Sequence, residues 1–209
     1  MAKWHKFPHD QKAITYAGDA LKKNWDALHK GDNEPFPKDV GMQEAWRQFH
    51  AGNFAAAVET AEKLGGGTVA VKATSIYAAH LEPKDAAKVK HFQDAMQLAV
   101  ALMKAEPKNP NSHYQYAYAA GRYSQSVSIM KALKEGYGGK IKTALETALK
   151  LDAKHADAHT AMGAFHAEII DKVGAMVGKL TYGASKDASV DQYEKSIKLN
   201  PQSPIALIE

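Results

Sequence analysis

His155, His159 and His166 are the residues whose spacing first suggests chemistry. Steps of four and seven residues place three imidazoles near one face of a helix, and converging imidazoles are a common start for a zinc site. Their surroundings argue against that use. The stretch "HADAH" at 155–159 lacks the Glu that follows the first His in the zinc-protease helix motif, the chain has no cysteine, and no fourth ligand stands nearby at a ligating interval. The three remain weak metal candidates. For His159 and His166 the expected role is packing between paired helices, partly buried and hydrogen-bonded. No metal or cofactor is expected.

A second group reads better as a binding surface. In "NSHYQYAYAAGR" at 111–122, Tyr114, Tyr118 and Arg122 recur every four residues, on a stripe separate from His113, Tyr116, Ala117 and Ala120. Tyrosines offer flat contact area at small entropy cost, and an arginine holds a carboxylate through two parallel N–H donors. The competing reading is that Tyr114 and Tyr118 pack against the helix expected after Arg122. For catalysis, Ser, His and Asp are present, but no nucleophile sits in a recognisable turn and the carboxylates are scattered over Ala-rich helices, so an enzyme is not expected.

The glycine clusters "GGG" at 65–67 and "GYGG" at 136–139 are not followed by Lys and Ser/Thr as a phosphate loop requires, and they read as helix stops. "GAMVG" at 174–178 has small residues four apart, but its shortness and the flanking Lys172 and Lys179 favour close helix packing over a membrane segment.

Positioning such groups requires a scaffold, and the composition bounds it. The chain has 209 residues, 45% of them hydrophobic and 24% charged, which describes a globular core rather than a disordered chain. No apolar run approaches the roughly 20 residues of a membrane span. Without cysteine there are no disulfides, and "MAKWHKFPHD" lacks the apolar stretch of a secretory signal, so the cytoplasm is expected, with the periplasm as the alternative if a signal has been removed. The formal charge is +4, but only Arg47 and Arg122 among 27 basic residues are arginines, and the lysines are interleaved with 23 acids. That is a solvated surface, not a nucleic-acid track.

Helical periodicity runs throughout, which predicts an all-α protein. A first helix is expected from about Gln11 to Lys30, with Asp10 as N-cap, Ile14, Ala17, Leu21 and Leu28 on its stripe and Gly31 as its stop. "GDNEPFPKD" at 31–39 is a firm break, because the residue before each proline is pushed out of helical geometry. Hairpins follow at about 40–64, with its two helices meeting at Gly52-Asn53, then at 68–105, 110–151 and 157–199, and a further helix starts at 203–209. The last three units superpose: Ala99, Leu102, Ala105 and Pro107 lie over Leu145, Ala148, Leu151 and Ala153, and these over Tyr193, Ser196, Leu199 and Pro201, at steps of 46 and 48 residues. Fixed periods of this size mark stacked helical units, none of which buries its apolar face alone.

The chain resembles the tetratricopeptide repeat family, carried best by "AGNFAAAVETAEKL" and by "HTAMGAFHA" followed by "VDQYEKSIKLNP". Extra residues in two hairpins, "RYSQSVSIMKALKEGYGGK" at 122–140 and "EIIDKVGAMVGKLTYGASK" at 168–186, are similar to the long hairpins of the regulator-of-microtubule-dynamics proteins over about residues 90–204. The resemblance implies a right-handed superhelical stack of about three to four antiparallel hairpins, with residues 1–31 as an N-terminal cap and 32–209 as the array. It also implies that the first helix of each hairpin lines a concave groove, placing Asn111 and Gln115 beside Tyr114, Tyr118 and Arg122. The expected function is a non-enzymatic scaffold or adaptor that binds a peptide, a protein segment or a carboxylated ligand there. The alternatives are a periplasmic partner of a solute transport system and, less favoured, a metal-dependent enzyme. Ile205, Leu207 and Ile208 on the short final helix suggest either a longer natural chain or a subunit contact.

Overall fold

The computed structural model describes residues 4–208, so the first residues of the expected N-terminal cap and the final Glu209 lie outside the described residues. Among the described residues the fold is all helical, without strands. A 3₁₀ turn (Lys12–Ile14) precedes α1 (Ala20–Leu28), α2 (Val40–His50), α3 (Phe54–Lys63), α4 (Thr68–His80), α5 (Asp85–Ala105) and α6 (Pro110–Ser126). Then come α7 (Ile129–Lys134), α8 (Tyr137–Leu151), α9 (Ala156–Val173), α10 (Ala175–Tyr182), α11 (Lys186–Leu199) and α12 (Pro204–Ile208).

The hairpins are α2/α3, α4/α5, α6/α8 and α9/α11, and each packs on the next. The helices α5, α8 and α11 end at Ala105, Leu151 and Leu199, reproducing steps of 46 and 48 residues. Two of the turns, those leading into α6 and α9, also close alike. His113 Nε2 lies 2.9 Å from the Pro107 carbonyl, and His159 Nε2 lies 3.1 Å from that of Ala153. The first helices pack on one another, α2 on α4, α4 on α6 and α6 on α9, while α5 and α8 are parted by a groove lined by Val100, Tyr116 and Tyr137. Helices closer on one side than on the other curve the stack, so the first-helix side is the concave one. The core is largely alanine and aromatic, with Ala99, Ala120 and Ala148 fully buried where helices approach and Phe92, Tyr123 and Trp46 filling the wider gaps.

Several local expectations are corrected. No single helix spans Gln11 to Lys30: Tyr16 and Gly18 take positive φ, and the helix begins only at Ala20. Arg47 on α2 satisfies the break, its guanidinium donating to the carbonyls of Tyr16 at 3.2 Å and Gly18 at 3.1 Å, acceptors a continuous helix would use internally. Ala17 is consequently exposed. Asp10 is not a helix N-cap: it accepts from Lys12 N at 3.1 Å, one residue ahead of the Gln11 cap of the 3₁₀ turn. In "GYGG" only Gly136 is a stop, in left-handed geometry, whereas Gly138 and Gly139 lie inside α8. In "GAMVG" only Gly178 is buried. Ile205, Leu207 and Ile208 point outward on α12.

Candidate binding groove

The side on which α4, α6 and α9 follow one another is crossed by a segment of the chain itself. Between α1 and α2, residues 29–36 cross the concave side from α4 to α9. The crossing is tied at every step: Asp157 N donates to the Gly31 carbonyl at 2.9 Å, Asn33 Nδ2 donates to Asp152 Oδ2 at 2.8 Å and to the Lys154 carbonyl at 3.1 Å, and Lys72 Nζ pairs with Asp32. Glu34 accepts from Thr68 Oγ1 at 2.6 Å and from Asn111 Nδ2 at 2.7 Å. Gly31 is needed for close approach, not as a helix stop, because an added Cβ would lie 2.1 Å from Asp157 Oδ1.

Asn111 is the hub. Its amide donates to the Asp32 carbonyl at 2.9 Å and to Glu34, and its Oδ1 accepts from His155 Nε2 at 2.9 Å. His155 in turn caps α9, its Nδ1 accepting from Ala158 N at 3.1 Å. An accepting Nδ1 fixes the neutral tautomer with its proton on Nε2, and burial drops the pKa of this ring to about 4. A parallel arrangement stands at the other end of the segment. His29 donates from Nδ1 to Asp32 at 2.9 Å, its Nε2 accepts from His50 at 3.2 Å, and it is stacked on Trp25 and edge-on to Trp46. Burial in this aromatic setting lowers the pKa of His29 and takes that of His50 to about 3.

Charge in the tied half is concentrated around Lys72. Burial works against the charged form of Asp32, yet the opposing Lys72 ammonium and the His29 hydrogen bond hold its carboxyl well below the usual range. Asp32 and Asp157 keep the Lys72 ammonium charged despite its own burial. Burial lifts Glu34 to about 7 and Asp157 to about 6.

These contacts sort the sequence-derived candidates. Asn111, Gln115 and Tyr114 are buried under the crossing, at 0%, 2% and 9% exposure, and Tyr114 packs on the His155 ring 4.7 Å away rather than on α7. Tyr118 and Arg122 lie beyond the crossing and are partly open. The Arg122 guanidinium stands 5.4 Å from the Tyr118 ring centre and donates to Gln125 Oε1 at 3.1 Å; Gln125 donates to Glu168 on α9 at 3.2 Å. His80 on α4 faces the same end, and its pKa is lowered by burial and by the Arg122 charge.

The three histidines do not converge. His155 faces Asn111, His159 bridges Gln192 Oε1 at 2.6 Å and the Ala153 carbonyl, and His166 is buried with Nδ1 meeting no hydrogen-bonding partner among the described residues, contrary to the bonding expected of it. Among the described residues no group of three His, Cys, Asp or Glu side chains is arranged to hold a metal. Sequence reasoning missed Asp32, Glu34, Lys72 and Asp157. Asp157 sits one 46-residue step after Asn111, and that register was the available signal; the loop's acids read only as a break.

No helix among the described residues is long and apolar enough to cross a membrane. The family model described as regulator of microtubule dynamics protein 1-3 matches residues 68–206, about two thirds of the chain, and the chain belongs to that family. No curated protein matches the chain.

Proposed function

We propose that this member of the family is a non-enzymatic interaction module whose groove takes an extended, carboxylate-bearing peptide or protein segment across Tyr118 and Arg122. The observation that carries the reading is the chain's own crossing. Groove side chains hold an acidic stretch of the chain there, a turn at Asp32 followed by Glu34, with Asp32 on Lys72 and Glu34 on Thr68 and Asn111. The same face runs on to a partly open guanidinium beside a tyrosine ring. An Arg so placed fits a planar carboxylate, and the ring supplies rigid contact area. Protein partnership is the part of the family's description that the groove supports, and a microtubule protein is one partner to put to the test. The tetratricopeptide likeness of the repeats belongs to this reading as well.

The test is fluorescence anisotropy with a panel of labelled extended peptides that carry or lack a carboxylate. The expected outcome is carboxylate-dependent binding that Arg122→Ala weakens by roughly tenfold or more, as loss of a charge-assisted hydrogen bond implies. Arg122→Lys restores it only in part, because an ammonium lacks the planar fork. Carboxylate-bearing peptides that bind equally to wild type and Arg122→Ala contradict the proposal.

A further inference from the structure

The two inserted helices carry exposed apolar side chains and a local positive charge. α7 and α10 extend consecutive hairpins and both pack on α8: Tyr182, at the end of α10, packs on Gly138 in the first turn of α8, four residues after α7 ends, where an added Cβ would lie 2.7 Å from the ring. Met130 on α7 is 76% exposed, and on α10 Met176 and Leu180 are 78% and 82% exposed. Ile129, Leu133 and Val177 stand beside them, also exposed. Exposed aliphatic side chains grouped in this way usually mark a contact surface.

The charge says what kind. Residues 128–142 and 173–186 contain Lys131, Lys134, Lys140, Lys142, Lys179 and Lys186 against one acid, Glu135, a net of +5. Glu135 already accepts from Tyr123. One turn back on α9, Glu168 and Asp171 pair with Lys172, and on α8 Glu146 pairs with Lys142; with these and Asp187 included this end of the stack still carries a net +2.

From this juxtaposition we propose that the α7–α10 end is a docking site for an anionic lipid bilayer surface. The aliphatic tips enter the boundary between headgroups and acyl chains, and the lysines reach the lipid phosphates along their own methylene stems. The helices are too short to span, so they lie in the interface. A second copy of the chain would bring like charge onto like charge. An acidic polypeptide would answer the lysines but leave Met130, Met176 and Leu180 in water. The site uses no residue of the groove, so it goes beyond that reading and stands or falls separately.

Sedimentation of the full chain with vesicles tests it, using phosphatidylcholine alone and phosphatidylcholine mixed with phosphatidylserine in equal parts. Two variants are compared with wild type, Met176→Ser/Leu180→Ser and Lys134→Ala/Lys179→Ala. All four side chains are exposed, so circular dichroism should report an unchanged helical fold. Wild type is expected to sediment with the anionic vesicles and not with phosphatidylcholine. The lysine variant should bind more weakly by roughly fivefold for each lysine removed, and the serine variant by roughly tenfold or more. Failure of wild type to bind anionic vesicles overturns the proposal, as does undiminished binding by the serine variant. A dimer abolished by the serine substitutions, or capture of polyglutamate in place of vesicles, also overturns it.

Discussion

Asn111 shows what one side chain contributes to this molecule. Its side chain makes three hydrogen bonds, two to the 29–36 crossing and one to His155 at the start of α9, and it is fully buried. Replacement by Leu removes the partner of the Asp32 carbonyl, of Glu34 Oε2 and of His155 Nε2, so urea unfolding should show a loss of about 2–4 kcal/mol. A loss below about 0.5 kcal/mol, the usual size for an exposed substitution, would contradict its role as hub. His155 gives a pH signature. Its folded pKa of about 4 lies below the unfolded value near 6.5, so between these limits the unfolded chain takes up a proton that the folded ring refuses. The stability of wild type relative to His155→Asn should therefore fall by about 3 kcal/mol as pH drops from 6.5 to 4. A difference that does not change with pH would refute the neutral buried ring. Glu34 and Asp157 act in the opposite sense, since carboxyls with raised pKa stabilise the fold most at the acid end, and comparison with the single-residue variant separates the two effects.

At the scale of elements, the 29–36 crossing behaves as a clasp between the N-terminal hairpin and α9. Gly31→Ala drives a methyl into the Asp157 carboxylate and should cost about 1–3 kcal/mol, most of which disappears in an Asp157→Ala background. Additive effects of the two substitutions would mean that the contact does not hold the clasp. The helical hairpins were readable because their apolar spacing and their Pro, Asn and Asp turns are local signals. Positions 105, 151 and 199 end their helices as the repeat register predicts. The break before α1 was not readable, because the partner that satisfies its carbonyls, Arg47, comes from another helix. The clasp escaped for the same reason: its bonds join residues such as Asn33 and Asp152, 119 positions apart. Tyr114 and Tyr118, alike in sequence, part company because the first packs on the buried His155 ring and the second does not.

Across the whole molecule, the stack has a groove closed at the Asn111 end and partly open at the Arg122 end, with binding expected at the open end. Hydrogen exchange of the backbone amides, with and without a saturating carboxylate peptide from the binding panel, tests this most directly. Amides of 29–36 should be protected in the free protein and unchanged by the peptide. New protection should appear in α6 around 118–126 and on the facing turn of α9 around 164–168. Fast exchange throughout 29–36 in the free protein, or peptide-induced protection on the outer α5 and α8 face alone, would contradict the account.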